Sequence, residues 1–248
     1  MLILLPPSET KTPRRRGAPL KLERLSFPGL TRTRSLIADT LAAASAGPDA
    51  CHRLGISPGV AAEVARNVDL RTSPAQMVAD LYTGVLYDAL DLASLDSAAT
   101  RRARRWIVVQ SALFGALRLG DKVPAYRLSM STKLPGLAPL AAIWRPELDT
   151  EMTAAAGRGV IVDCRSSTYA AAWHPGQEQA RRWVRIVVPG ATHMAKHTRG
   201  LVTRHLVETG TDARSPAALR DVLATRFEVA LQEPARATVP WDLSVTPA

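Results

Sequence analysis

The segment "SALFGALRLGDKVPAYRLSM" at residues 111–130 follows the apolar run "WIVVQ" and places Gly115 and Gly120 five apart. Strand, then GxxxxG, is the opening of a phosphate-cradling P-loop, which must continue with Lys and then Ser or Thr. Here Asp121 precedes Lys122 and Val123 follows it, and a carboxylate among amides meant for phosphate is repulsive. The segment therefore reads as a glycine-permitted bend. It would carry Arg118, Tyr126 and Arg127 to one region as a cleft wall. "HMAKH" spaces His193 and His197 four apart, but Met194 stands where a HExxH zinc protease has its Glu. No GxSxG nucleophile elbow occurs. Cys164, beside Arg165, follows a β-rich run and reads as a buried thiol. "LGISPGVAAEVARN" at 54–67 is similar to a helix–hairpin–helix, with Gly55 and Gly59 at the hairpin. Such a hairpin binds DNA phosphates through backbone amides without reading sequence. An ordinary Gly/Pro turn between helices accounts for the same residues.

Positioning these groups requires a mixed α/β framework. "MLILL", stopped by Pro6-Pro7, suits a buried strand. "RRWIVVQSA", "GVIVDCRS" and "WVRIVVPG" are further β-rich runs. Helical patterns cover 31–45, about 59–68, 139–156, 168–173, 199–208 and 215–226, and Ser73-Pro74 reads as another helix start. Residues 12–31 hold three prolines and two glycines and read as an irregular basic loop. No linker divides the chain, so residues 1–248 are expected to form one α+β (mixed α/β) domain.

With 248 residues and 46% apolar composition, the chain can bury a substantial core. No apolar run is long enough for a membrane span. "MLILLPPSE" lacks the charged start of a signal peptide. Two cysteines give no disulfide framework. The expectation is a cytoplasmic protein with no membrane partner. The net charge is +10, and basic residues gather in Arg14-Arg15-Arg16, in "RRARR" at 101–105 and in "RRWVR" at 181–185. Residues 72–100 carry Asp80, Asp88, Asp91 and Asp96 with no Lys or Arg. Charge partitioned in this way favours an anionic partner over uniform solubilisation.

Taken in order, "MLILLPPSETK", "YTGVLY" at 82–87, "SALFGALRLGD", "PAYRLSM", Trp144, "VIVDCRSSTY" at 160–169 and "MAKHTRGLVTRHLV" at 194–207 resemble the YaaA peroxide-stress family. The resemblance spans residues 1–210. It implies a twisted, partly barrel-like sheet wrapped by helices, a basic cleft and a helix–hairpin–helix element at about 50–68. It also implies double-stranded DNA as partner, protection of DNA during oxidative stress, and no established cofactor. Carried over residue by residue, the cleft groups are Ser8, Lys11, Tyr82, Thr83, Tyr126, Arg127, Ser167, Tyr169, Lys196 and Arg199. Should the cleft be catalytic, on a small anionic or nucleobase-like substrate, the acid/base candidates are Tyr126, Lys196, Tyr169, Ser167 and Lys11, and a small molecule or nucleotide is a further candidate ligand. The chain departs from the family pattern in three places. "PPSETK" stands for the "SPAKT" of many relatives, the stretch between "VRIVV" and "HMAKH" is short, and the last 35 residues match poorly.

Overall fold

Buried aliphatic runs build the centre of the molecule, and the computed structural model, which describes residues 1–190 and 192–247, shows how they pair. The strands are β1 (Leu2–Leu5), β2 (Gln76–Met77), β3 (Ile107–Ser111), β4 (Gly115–Arg118), β5 (Lys122–Val123), β6 (Ile161–Asp163), β7 (Trp183–Val187), β8 (Phe227–Gln232) and β9 (Trp241–Pro247). Seven of them form one sheet in the order β4-β3-β1-β6-β7-β9-β8, while β2 and β5 pair separately. β3, β1, β6, β7 and β9 run parallel, and the edge strands β4 and β8 are antiparallel to their neighbours. Leu4 stands opposite both Val108 and Asp163, so β1 lies inside the sheet between β3 and β6. Its four residues are all buried, as expected for a strand covered on both faces.

The longer helices are α1 (Thr31–Ala44), α6 (Ser97–Trp106), α7 (Leu140–Ala156), α10 (Thr192–Thr209) and α11 (Pro216–Ala224). Short helices α2 (Ala50–Arg53), α3 (Ala61–Ala65), α4 (Val78–Leu81), α5 (Val85–Leu90), α8 (Ser167–Ala170) and α9 (Gln177–Ala180) fill the connections. α10 packs on α5, α6 and α11, while α7 reaches α1 through the turn Pro28–Leu30. No helix among the described residues is long and apolar enough to cross a membrane.

Several expectations change. The outer strands β4 and β8 do not pair with each other, so the sheet is open and no barrel closes. "GALRLG" is not a bend: Gly115–Arg118 is β4, folded back on β3 in register Ser111–Gly115 to Val108–Arg118. Gly115 is required there, because its φ is +71° and a Cβ would lie 2.7 Å from the buried Trp144 ring. Arg104, Arg105 and Trp106 do not begin β3 but end α6, which Asp96 starts by accepting from the Ala99 N–H at 2.7 Å. Ser73-Pro74 starts no helix, since Pro19 bridges Pro74 and the Ala75 N–H goes to Ala18, so the helix waits until Val78. The helix expected at 168–173 is only Ser167–Ala170, and that expected at 199–208 extends back to Thr192.

The 50–68 segment breaks into α2, a 3-10 turn at Pro58–Val60, α3 and a second 3-10 turn at Arg66–Asp69. Helices this short do not establish a helix–hairpin–helix. The poorly matching C-terminus supplies two strands, with β9 parallel to β7.

Candidate functional site

In open sheets of this kind, ligands bind beyond the carboxyl ends of the parallel strands, where the strand order reverses direction. After β1 the chain goes to β3 on one side, and it later returns to β6 on the other. The crevice at β1 and β6 is that reversal point. Pro6–Thr10 leave β1 there, and Cys164 and Ser166 leave β6. With α5 and the first turns of α10 they enclose a cleft of 420 Å³. Ser8, Tyr169, Lys196 and Arg199, from three separate segments, all line it. Arg199 donates through Nε and Nη2 to the Ile186 carbonyl at 3.3 and 3.2 Å, which fixes its guanidinium at the end of β7.

Behind this cleft lies a buried aromatic knot. Lys11 forms a β-bridge with Tyr82, and its Nζ donates to the Ser8 carbonyl at 2.7 Å. The amine lies 4.3 Å from the Tyr126 ring centroid and 5.5 Å from that of Tyr82. Burial, with repulsion from Arg127, brings the Lys11 amine down to about 7 against the attraction of Glu63 and Glu9. The Tyr82 and Tyr126 hydroxyls are 2.9 Å apart, and the Tyr126 hydroxyl is 2.7 Å from Ser111 Oγ. Burial pushes the Tyr126 phenol up to about 12, opposed by its hydrogen bonds to Ser111 and Tyr82. Burial also raises Tyr82, Tyr87 and Tyr169, so these phenols hold their protons at neutral pH. An amine brought down to about 7 beside a chain of protonated hydroxyls can accept or relay a proton.

Other predicted groups go elsewhere. Arg127 does not line the cleft and is held by Glu9 at 3.0 Å and Glu63 at 3.1 Å, so two carboxylates offset its charge. The Thr83 N–H goes to the Thr10 carbonyl, a structural bond beside the cleft. Ser167 lines an adjoining hollow of 630 Å³ that shares Ser166 and Arg199 with the cleft. Arg118 points away, its guanidinium stacked 5.4 Å from Phe27 and donating to the Arg105 carbonyl. Gly55 and Gly59 lie in the 50–65 segment outside the cleft, where Ser57 Oγ accepts from the Gly59 amide. His193 is exposed and His197 half-buried on α10. Among the described residues no cluster of three or more His, Cys, Asp or Glu could hold a metal ion.

The family model described as peroxide stress protein YaaA matches residues 1–232. The chain belongs to the YaaA peroxide-stress family. A UPF0246 protein of Streptomyces coelicolor is 46% identical, the match covering 99% of this chain and 98% of the relative. Another, from Corynebacterium efficiens, is 41% identical over 90% of this chain and 91% of its own. One from Corynebacterium glutamicum is 36% identical over 87% and 88%. The Streptomyces match carries through the C-terminal stretch, so β8 and β9 are not peculiar to this member of the YaaA family.

Sequence reasoning missed Ser111, Glu9 and Glu63. Ser111 opens the glycine-rich segment and could have been noticed as a hydroxyl at a strand end, whereas nothing local marks Glu9 or Glu63 as Arg127 partners. A buried pair was also missed: Arg165 grips Asp163 at 2.6 and 2.8 Å and donates to Gln110 Oε1 at 2.6 Å. Burial disfavours the Asp163 charge, but Arg165 and the Trp183 N–H together hold its carboxyl below the usual range. This pair fixes the start of the β6–α8 loop and so the wall bearing Ser166 and Tyr169.

Proposed function

We propose that this YaaA-family protein acts in peroxide stress by binding duplex DNA along its phosphate backbone, through a strip of cations on the β4 side of the sheet. The observation that carries this reading is a set of exposed cations without carboxylate partners. Arg14, Lys21, Arg24 and Lys122 surround one groove of 420 Å³. Arg118, bonded to the Arg105 carbonyl, leads from that groove to Arg104 and Arg105 on α6. Apart from the intermediate Arg118, these residues are exposed, and no ion pair among the described residues engages any of them. Asp121, the one acid within the groove, is already occupied by Ser26 and the Arg118 amide. Solvated, unpaired cations release counterions from DNA most effectively. At the cleft fewer cations are free, because Lys11 behind it is desolvated and Arg127 is paired twice, which leaves Lys196 and Arg199.

Thiol chemistry supplies no competing account at Cys164. Burial pushes that thiol up to about 12, so almost none of it is the nucleophilic thiolate at neutral pH. Coverage of the backbone instead limits access of peroxide-derived oxidants to the sugars. The test is fluorescence anisotropy with two unrelated duplexes of equal length, using the wild type and an Arg24→Glu/Lys122→Glu variant. Equal affinity for both duplexes is expected, with a loss of about tenfold or more in the variant. Undiminished binding in the variant, or no binding by wild type at low salt, contradicts the reading.

A further inference from the structure

The cleft at β1 and β6 differs from the groove of the cation strip in what lines it. It is concave, partly enclosed and asymmetric in polarity. One end carries Lys196 and Arg199, and neither joins a salt bridge among the described residues. Arg199 spends Nε and Nη2 on a backbone carbonyl, leaving Nη1 to a ligand. The walls are Pro6-Pro7 and Val85-Leu86, with Tyr87 and Tyr169 as aromatic surface. Tyr87 is immobilised by its hydroxyl's bond to the Pro6 carbonyl at 2.8 Å, so this wall is rigid. Ser8, Thr10 and Ser166 add hydroxyls to the lining, and Glu9 adds a carboxylate whose Oε2 is held by Arg127.

A cleft of 420 Å³ suits a drug-sized molecule. Cations at one end select an anionic group. Tyrosine and proline faces select a flat ring, since stacking tolerates any planar base. Hydroxyls with a carboxylate in the same lining suit a polyhydroxylated linker such as ribose. We propose that this cleft is a binding site for a nucleoside monophosphate, with its phosphate at Lys196 and Arg199 and its base against the Tyr87–Tyr169–Pro6 wall. The site is separate from the DNA-binding strip. Lys11 lies one hydrogen bond behind Ser8.

Calorimetric titration of the full chain with AMP, GMP, CMP, UMP and inorganic phosphate tests this, with thermal melting to verify folding of each variant. At least one nucleotide should bind about tenfold or more tightly than phosphate, and Lys196→Gln and Arg199→Gln should each weaken it about tenfold. Lys196 is exposed, so its substitution keeps the test valid if the Arg199 variant unfolds. Duplex affinity should be unchanged in Lys196→Gln. Nucleotide affinity should be unchanged in Arg24→Glu/Lys122→Glu. No nucleotide binding at about 1 mM, or nucleotide binding no tighter than phosphate, overturns the proposal. Loss of duplex and nucleotide binding together in Lys196→Gln would show one site rather than two and also overturn it. Failure of the DNA reading alone leaves the nucleotide result intact, so the two are separable.

Discussion

Replacing Lys11 by Met should produce a stability change that depends on pH. The amine falls from 10.5 in the unfolded chain to about 7 in the folded protein, through burial first and Arg127 second. Because the folded value is the lower one, the unfolded chain holds more protons between these limits. Stability therefore rises with pH across that window, and is lost on acidification toward pH 7 and below. Between pH 6 and 9.5 the Lys11 contribution amounts to about 3 kcal/mol. Met fills a similar volume without a charge to bury, at the cost of the bond to the Ser8 carbonyl, about 1 kcal/mol. The variant should be more stable than wild type at pH 6 by a few kcal/mol and within about 1 kcal/mol of it at pH 9.5. Urea unfolding of both proteins across this range provides the comparison, with unchanged slopes showing that only stability moved. Other titrating groups cancel between the pair. A difference that stays flat with pH, or that favours wild type at pH 6, would refute a buried, near-neutral Lys11.

Three other perturbations follow from packing and burial. Arg34 is fully buried and donates to the carbonyls of Ser26, Phe114 and Ala116, so Arg34→Ala should cost about 3 kcal/mol or more in denaturant unfolding. Gly200→Ala should lower the melting temperature by several degrees, because a Cβ there would stand 2.2 Å from the Leu86 carbonyl where α10 meets α5. Cys164 should resist alkylation in the native protein at pH 7.5 and react once it is unfolded, as peptide mass mapping would record.

What was legible in the sequence depended on how local its cause was. β1, β6 and β7 are short apolar runs bounded by turn formers, and β1 and β6 are wholly buried, so composition alone marks them. α11 falls within the helical pattern at 215–226, and its cap forms between Ser215 Oγ and the Ala218 amide. By contrast, β8 and β9 show only alternation between buried and exposed positions, and β9 becomes a strand because Val184–Val187 is there to pair with it. The arginines of α6 looked like the start of a strand because Trp106-Ile107 joins helix and strand without a turn.

The site divides in the same way. Ser8, Tyr169, Lys196 and Arg199 were singled out through family motifs, and the fold brings them to one cleft. The strong burial of Lys11 was invisible, since it needs the rings of Tyr82 and Tyr126 from two distant segments. The clustered arginines suggested an anionic partner, but only tertiary structure separates the free charges from Arg127 and Arg165, which are bound to carboxylates.

Salt dependence of duplex affinity tests the cation strip most directly. If Arg14, Lys21, Arg24, Arg104, Arg105 and Lys122 each neutralise a phosphate, the logarithm of the binding constant should fall with the logarithm of salt concentration at a slope of about −5. The Arg24→Glu/Lys122→Glu variant should give a slope shallower by about 2, for either of two unrelated duplexes. A flat response in the wild type, or a slope unaltered by the double reversal, would contradict backbone binding through this strip.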